Sequence, residues 1–308
     1  SPLCGKVRAV SLIYLFMYNF KDSQLYGLQS IEDFFSLLDI NVKYNIKYLC
    51  SDKLYRTVNI IGLKPFYIPY GILKDIHIKT KDMLYKIILP DNVFSPAIKG
   101  QGKSAISHAK YHQYSKYLLA MDIKSFFENL KLKYIIKFFN NSLNIEYKTA
   151  VVISKILTFN GHIARGSCVS PILSHLSINN TFSKIQQYCK NRNLKLSIYM
   201  DDIIFSSDKR IDISGIINFM TKVLSIIELK INYKKLRKYG INDSKRVTGV
   251  IITKDNKIRI QNKNRKKLKD IIENYNECDE DIIKGLLSYM KQIEPTSYKK
   301  YNIMFGLE

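Results

Sequence analysis

Two rhythms of hydrophobic positions run along this chain. In "LQSIEDFFSLLDI" (Leu28–Ile40) and "IDISGIINFMTKVLSIIEL" (Ile211–Leu229) apolar residues return every three to four positions, the spacing that gives a helix one buried face. "SFFENLKLKYIIKFFNNSL", "TAVVISKILTF" and "SPILSHLSINNTFSKIQQYCKNRN" also read as helices, the last with Ser170-Pro171 as its N-cap and first-turn signal. Short apolar runs mark strands instead: "YLLAMDI" (Tyr117–Ile123), and "KLSIYM" and "IIFSSD" on either side of Asp201-Asp202. "KRVTGVIITKDNKIRI" (Lys245–Ile260) reads as a hairpin turning at "KDNK". Between Val58 and Ile88, extended segments lead into a helix that starts near Gly71. From about Lys263 the tail is basic and helical, interrupted at Glu294-Pro295. The order is helices, then an α+β core, then a small helical C-terminal lobe.

The residues that break this pattern are carboxylates. Asp122 closes the apolar run "YLLAMD", where a buried charge needs a cation or a hydrogen-bonded partner. Asp201 and Asp202 are adjacent between two strands. Taken alone, that pair fits a solvated turn, a place Asp favours. If the two β elements pair, Asp122 and Asp201 repel unless a cation neutralises them. Mg²⁺ is the hard, oxygen-seeking ion that suits such a set. Two such ions about 3.5–4 Å apart clamp the oxygens of an in-line phosphoryl displacement.

Composition narrows the partner. The chain has 308 residues and is 46% hydrophobic, enough for one multi-lobed domain or two. Its 49 Lys and Arg against 26 Asp and Glu give a net charge of +23. Such a surface attracts polyanions, nucleic acid first and anionic membrane second. Cys4, Cys50, Cys168, Cys189 and Cys278 form no C-x-x-C pair, which argues against zinc ribbons and disulfide frameworks and fits a reducing cytosol. The longest apolar run, "AVSLIYLFMYNF" (Ala9–Phe20), is too short to span a bilayer, and no small-residue cleavage site follows it. It reads as a buried helix.

With these boxes in hand, a family resemblance emerges. "AMDIKSFF" (Ala120–Phe127) resembles the first carboxylate motif of reverse transcriptases, and "YMDD" (Tyr199–Asp202) their second. Between them "ARGSCVSPILSHL" resembles the family's loop-helix motif, and after them "LKINYKKLR" its Asn-x-Lys-Lys segment. Order and spacing match over roughly residues 55–300. "HAKYH" (His108–His112) is similar to the N-A-x-x-H signature of bacterial retron enzymes, and "RVTGV" to their V-T-G signature. The tail "KGLLSYMKQIEPTSYKKY" resembles the retron thumb.

The resemblance implies an α+β right-hand polymerase fold without an RNase H domain. Fingers with N-terminal helices would occupy mainly 1–117. The palm would occupy 118–256, with interleaved finger helices at about 131–165, and the thumb 257–308. Asp122, Asp201 and Asp202 would be catalytic and, with the Ile123 carbonyl, would hold two Mg²⁺ ions, Mn²⁺ being the alternative. For dNTP binding it points to Lys64, Phe127 as the sugar gate, Arg165, Gly166, and Lys234 or Lys235 at the pyrophosphate. Phe127 also fits a plain core aromatic, with Phe126 the other choice for the core. Three departures stand out: Ala164-Arg165 replaces the usual Pro-Gln, Met200 stands where retron enzymes more often have alanine, and Phe66 stands where an arginine is expected, with Arg56 as its substitute.

For RNA and primer the resemblance points to His108, His112, Met200, Lys245, Arg246, Val247, Thr248 and Gly249. The two histidines have the i, i+4 spacing of a zinc pair, but no third ligand is near in sequence; the resemblance implies that they organise the RNA contact, and each also fits a satisfied structural histidine. The activity implied is reverse transcription of a cognate msr-msd non-coding RNA, primed from an internal guanosine 2′-OH. The branched product is msDNA, host RNase H would remove the template, and an effector protein in antiphage defence is the implied partner. The setting implied is the bacterial cytoplasm, with no membrane partner.

Three rivals compete. "AIKGQGKS" (Ala97–Ser104) nearly spells a phosphate-binding loop, but Ala97 replaces its first glycine and no good strand precedes it. A catalytically inactive RNA-binding relative would not need three retained aspartates. A group II intron-type polymerase is disfavoured by the short chain.

Overall fold

The computed structural model describes residues 18–41, 45–94, 103–274 and 280–304. The phosphate-loop-like residues 97–102, most of the N-terminal apolar run, Cys4 and Cys278 lie outside them. In chain order the elements are α1 (Ile31–Leu37), α2 (Ile46–Leu49), β1 (Tyr55–Val58), β2 (Phe66–Pro69), α3 (Ile72–Leu84), β3 (Val93–Phe94), α4 (Ala105–His112) and β4 (Tyr117–Asp122). Next come α5 (Phe126–Asn129), α6 (Leu132–Lys137), α7 (Tyr147–Ile156), α8 (Ser170–Ser177), α9 (Asn179–Lys190), β5 (Lys195–Tyr199), β6 (Asp202–Ser207) and α10 (Ile213–Ser225). The chain continues through β7 (Arg237–Tyr239), β8 (Lys245–Val247), β9 (Val250–Ile252), β10 (Ile258–Ile260), α11 (Asn262–Glu273), α12 (Glu280–Ile293) and α13 (Pro295–Met304).

These elements form two compact units. The first takes residues up to Val93, Met121–Arg192 and Ile213–Lys235. It holds the antiparallel β1–β2 hairpin and most of the early helices. Phe34, Leu73, Phe138, Ile153, Leu173 and Met220 are buried in it. The second takes Phe94–Ala120, Asn193–Asp212 and everything from Leu236. Its frame is a five-stranded sheet of order β3-β5-β6-β4-β7 and a three-stranded sheet of order β10-β9-β8. Ile106 and Ala109 of α4 pack there with Leu118, Ile204, Val247, Val250 and Ile252. The C-terminal helices close a second cluster around Leu268, Leu287 and Met290.

Several local expectations change. "KRVTGVIITKDNKIRI" makes two successive hairpins, β8–β9 and β9–β10, because Thr248-Gly249 is itself a two-residue turn with both residues at positive φ. The run from Ser170 is two helices. Ile178 (φ −122°, ψ 26°) leaves the helical region, and the Asn179 amide donates back to the Leu176 carbonyl at 2.7 Å. Ser170 is the first helical residue rather than the N-cap, which is Val169. The Ser170 hydroxyl donates to the Ala164 carbonyl at 2.6 Å instead. The stretch after Ser125 is likewise broken into α5, α6 and a π-helical turn over Phe138–Ser142.

Candidate active site

Asp122 is the last residue of β4 and only 5% exposed. Asn232 donates to its Oδ1 at 2.8 Å, and Lys235 places Nζ 2.7 Å from Oδ2. The backbone secures the same pairing. The Asn232 N–H donates to the Asp122 carbonyl at 2.8 Å and the Lys124 N–H to the Lys230 carbonyl at 2.9 Å, flanking an Ile123–Ile231 antiparallel bridge. Neither bond uses the Ile123 carbonyl, the group expected to face a metal. Of the two lysines left open by the sequence, Lys235 and not Lys234 reaches the carboxylate. Asn232 belongs to the Asn-x-Lys-Lys segment, whose sequence alone does not mark it as a partner of Asp122.

Phe126 is buried, while Phe127 beside it on α5 is half-buried. The alternation expected on a helix thus leaves Phe127 as the ring with an open side. Ser125, ahead of α5, is left-handed at φ +49°. Lys64 donates to Ser125 Oγ at 2.7 Å and pairs with Glu128 at 3.1 Å, so it is anchored to this same short helix.

The loop before α8 grips the β1–β2 hairpin. The Arg165 carbonyl accepts from Tyr67 N–H at 2.6 Å, and the Arg165 guanidinium lies 4.5 Å from the centre of the Phe66 ring. The charge missing at position 66 is thus brought there from position 165 by a cation–π contact. Gly166 has φ +111°, and a Cβ there would stand 3.2 Å from Phe66 Cβ and Ile68 Cγ1. Glycine is required on both counts. His77, fully buried, braces this loop: Nδ1 is 2.6 Å from Ser167 Oγ and Nε2 3.0 Å from the Ile156 carbonyl. A carbonyl only accepts, so Nε2 carries the proton. Nothing in the sequence singled out His77.

In the second unit, β5 and β6 are joined by Met200-Asp201, with Tyr199 paired to Asp202. Met200 is left-handed at φ +55°, where a two-residue turn prefers glycine, asparagine or aspartate. Asp201 and Asp202 are both half-buried. Burial, and then the Asp202 carboxylate, push the Tyr199 phenol up to about 12. Among the described residues no group of three or more His, Cys, Asp or Glu is arranged as a metal cluster. The donor types do fit a hard ion: carboxylates and a carbonyl, with a buried carboxylate at Asp122 that already attracts a cation.

The expected RNA contacts need correction. His108 and His112 are fully buried, so neither ring meets RNA directly. Their four nitrogens lie 2.5–2.7 Å from the hydroxyls of Thr248, Ser197 and Ser206. Those partners, not a third metal ligand, occupy the pair. Val247 is buried in the core and Lys245 is 2% exposed, because alternate residues of β8 point inward. Burial lowers the Lys245 ammonium pKa. Arg246, between them, is half-buried, as are Thr248 and Gly249.

Residues 62–252 match the model of a family described as reverse transcriptase (RNA-dependent DNA polymerase). The retron Ec83 reverse transcriptase of Escherichia coli is 23% identical over 67% of this chain and 71% of its own length. The retron Se72 reverse transcriptase of Salmonella heidelberg is 27% identical over 57% of this chain and 43% of its own. The retron Ec86 reverse transcriptase of Escherichia coli is 23% identical over 64% and 62%. So the chain spans less than two thirds of the length of two of these three relatives. Apo telomerase from Candida tropicalis is similar at a TM-score of 0.49 and 9% identity, over 67% of this chain and 47% of that one. That likeness is too remote to bear on function.

Proposed function

This chain belongs to the reverse transcriptase family, and we propose that it is the RNA-directed DNA polymerase of a retron, a nucleotidyltransferase that extends DNA on a structured RNA. The observation that carries the reading is Asp122. It is a buried carboxylate at the end of β4, held by Asn232 and Lys235. The residues matched to the family take in Asp122, Asp201, Lys235 and Thr248. The named relatives support the retron assignment.

In this reading Asp122, Asp201 and Asp202, with the Ile123 carbonyl, hold two Mg²⁺ ions or Mn²⁺ in their place. When bound, those ions activate the primer hydroxyl and stabilise the leaving pyrophosphate. Lys235 balances charge at Asp122, and Asn232 orients that carboxylate. Phe127 excludes the ribose 2′-OH. Lys64 and Arg165, on or against the β1–β2 hairpin, face the dNTP triphosphate, and Gly166 lets the loop and hairpin close. Arg246 and the backbone of Thr248-Gly249 meet the RNA, with the basic helix α11 continuing that surface. Fingers, palm and thumb are assigned as in the sequence.

The retron reading also supplies the finer chemistry. A cognate msr-msd RNA serves as template and primer, synthesis starts at an internal guanosine 2′-OH, and msDNA results. Host RNase H trims the template, and an effector protein completes an antiphage system in the bacterial cytoplasm. No described helix is long and apolar enough to cross a membrane.

The experiment is to identify the nucleic acid that co-purifies with the protein. DNA joined to RNA through a 2′ branch is the expected result. RNA without any DNA favours an inactive RNA-binding relative and overturns the proposal.

A further inference from the structure

The direction of every hydrogen bond around the two signature histidines can be worked out. Ser206 Oγ lies 2.7 Å from His112 Nδ1 and donates its own proton to Ser115 Oγ at 3.0 Å. A hydroxyl has one proton, so Ser206 accepts from His112, which is protonated on Nδ1. His112 Nε2 is then an acceptor, and takes the proton of Ser197 Oγ at 2.6 Å. Ser197 in turn accepts from His108 Nε2 at 2.5 Å. His108 Nδ1 remains, and accepts from the hydroxyl of Thr248 at 2.5 Å. Five hydrogen bonds run one way, from Thr248 through His108, Ser197, His112 and Ser206 to Ser115. The order survives only while both imidazoles are neutral. Burial favours that state, pushing His108 down to about 3 and His112 well below its usual value. The charged group near the pair is Lys195, and the rings against it are Phe94, Tyr111 and Tyr199.

The upstream end of this chain is a strained turn. Thr248 and Gly249 have φ +44° and +86°. Turns of this kind take Asn-Gly or Asp-Gly, and a β-branched residue there is an outlier. Gln261 holds the other half, donating to the Gly249 carbonyl at 2.6 Å. The same His108 ring lies flat against Tyr199, centroids 5.5 Å apart and planes 5° apart. Tyr199 leads directly into the Met200-Asp201 turn. One ring therefore touches the Thr248-Gly249 turn and the residue that leads into the Met200-Asp201 turn.

We propose that Ser197 and His112 are positioning residues that, through His108, lock Thr248 in its left-handed form, so that the β8–β9 turn offers its backbone rather than its hydroxyl to nucleic acid. This rests on the reading that the turn meets nucleic acid. No sequence motif marked Ser197, Ser206 or Ser115.

Two measurements test it. Imidazole ¹⁵N–¹H correlation spectra of the full chain should show His108 protonated at Nε2 and His112 at Nδ1. Both should stay neutral from about pH 7.5 to about pH 6, where an ordinary histidine is already mostly protonated. The opposite tautomer, or titration near 6.5 in either ring, overturns the chain. Extension of a poly(rA)–oligo(dT) template–primer is the second. Thr248→Val and Ser197→Ala should raise the template–primer KM about tenfold with kcat within about twofold. Thr248→Asn should stay within about threefold of wild type, since asparagine tolerates the left-handed turn and its amide can donate to His108. Equal losses in Thr248→Val and Thr248→Asn overturn the proposal. A wild-type protein that does not extend this template–primer sinks the polymerase reading, and the spectra then decide the chain by themselves.

Discussion

Lys235 sets its ammonium 2.7 Å from one oxygen of Asp122, while Asn232 holds the other oxygen at 2.8 Å. Both partners come from the segment after α10, tied to the end of β4 by the Ile123–Ile231 bridge. The carboxylate is buried and the lysine side chain is 60% exposed. Solvent screens such a pair, so its share of stability is about 1 kcal/mol or less. Lys235→Ala should therefore leave the melting temperature nearly unchanged. Incorporation of dNTP should fall about tenfold or more, because an uncompensated charge is left beside the reacting groups. Lys234→Ala should be close to wild type. Equal losses in the two variants would return the choice between them to the open state the sequence left.

Acid should unfold the protein through its histidines. His77, His108, His112 and His175 are each 5% exposed or less. Burial pushes His77 down to about 4, His108 and His175 to about 3, and His112 well below the usual range. The unfolded value is about 6.5, so the unfolded chain binds more protons as the pH falls. Stability is whole above about pH 6.5 and is lost towards pH 4 and below. Each histidine costs about 1.4 kcal/mol per pH unit in that window. Four together exceed the margin of a typical domain within about two units. Circular dichroism should show cooperative unfolding between about pH 6 and pH 4. A melting temperature unchanged from pH 7 to pH 5 would contradict the burial of these neutral rings.

The two phenylalanines of α5 should separate by phenotype. Phe126 is 3% exposed, and Phe126→Ala should cost about 3–5 kcal/mol of stability. Phe127→Ala should fold normally and admit ribonucleotides. Unchanged sugar selectivity in Phe127→Ala removes it as the gate.

Gly166→Ala should push the β1–β2 hairpin away from the loop before α8. The added Cβ would crowd Phe66 and Ile68 at 3.2 Å, on a backbone with φ +111°. A cost of about 1–3 kcal/mol and a raised dNTP KM are expected. A variant with wild-type KM and melting temperature would show that the hairpin does not need this close approach.

The sequence told more about chemistry than about its support. Asp122 stood out because a charge closes an apolar run, whereas Asp201-Asp202 alone fits a solvated turn and stood out only beside Asp122 and the family's other motifs. Phe126 and Phe127 were separable by helical geometry. The serines were not readable: Ser197 and Ser206 look like the polar beats of ordinary strands, and only the fold brings them to His108 and His112. Their burial leaves those histidines no direct contact with RNA, and a histidine sequence signature does not say which way a ring faces. Val247 and Lys245 failed for the related reason that β8 turns alternate residues inward. Thr248-Gly249 lies inside the run that reads as one hairpin turning at "KDNK", and only the fold shows it as the tip of a hairpin of its own.

The central claim is that Asp122, Asp201 and Asp202 jointly carry nucleotide transfer. The measurement that bears on it most directly is single-nucleotide incorporation on a primed RNA template by Asp122→Asn and by the Asp201→Asn, Asp202→Asn double variant, with RNA binding followed in parallel. Incorporation should fall below detection in both while RNA binding stays within about threefold of wild type, and chelation of divalent ions should silence the unmodified protein equally. Wild-type incorporation by either variant would contradict the account.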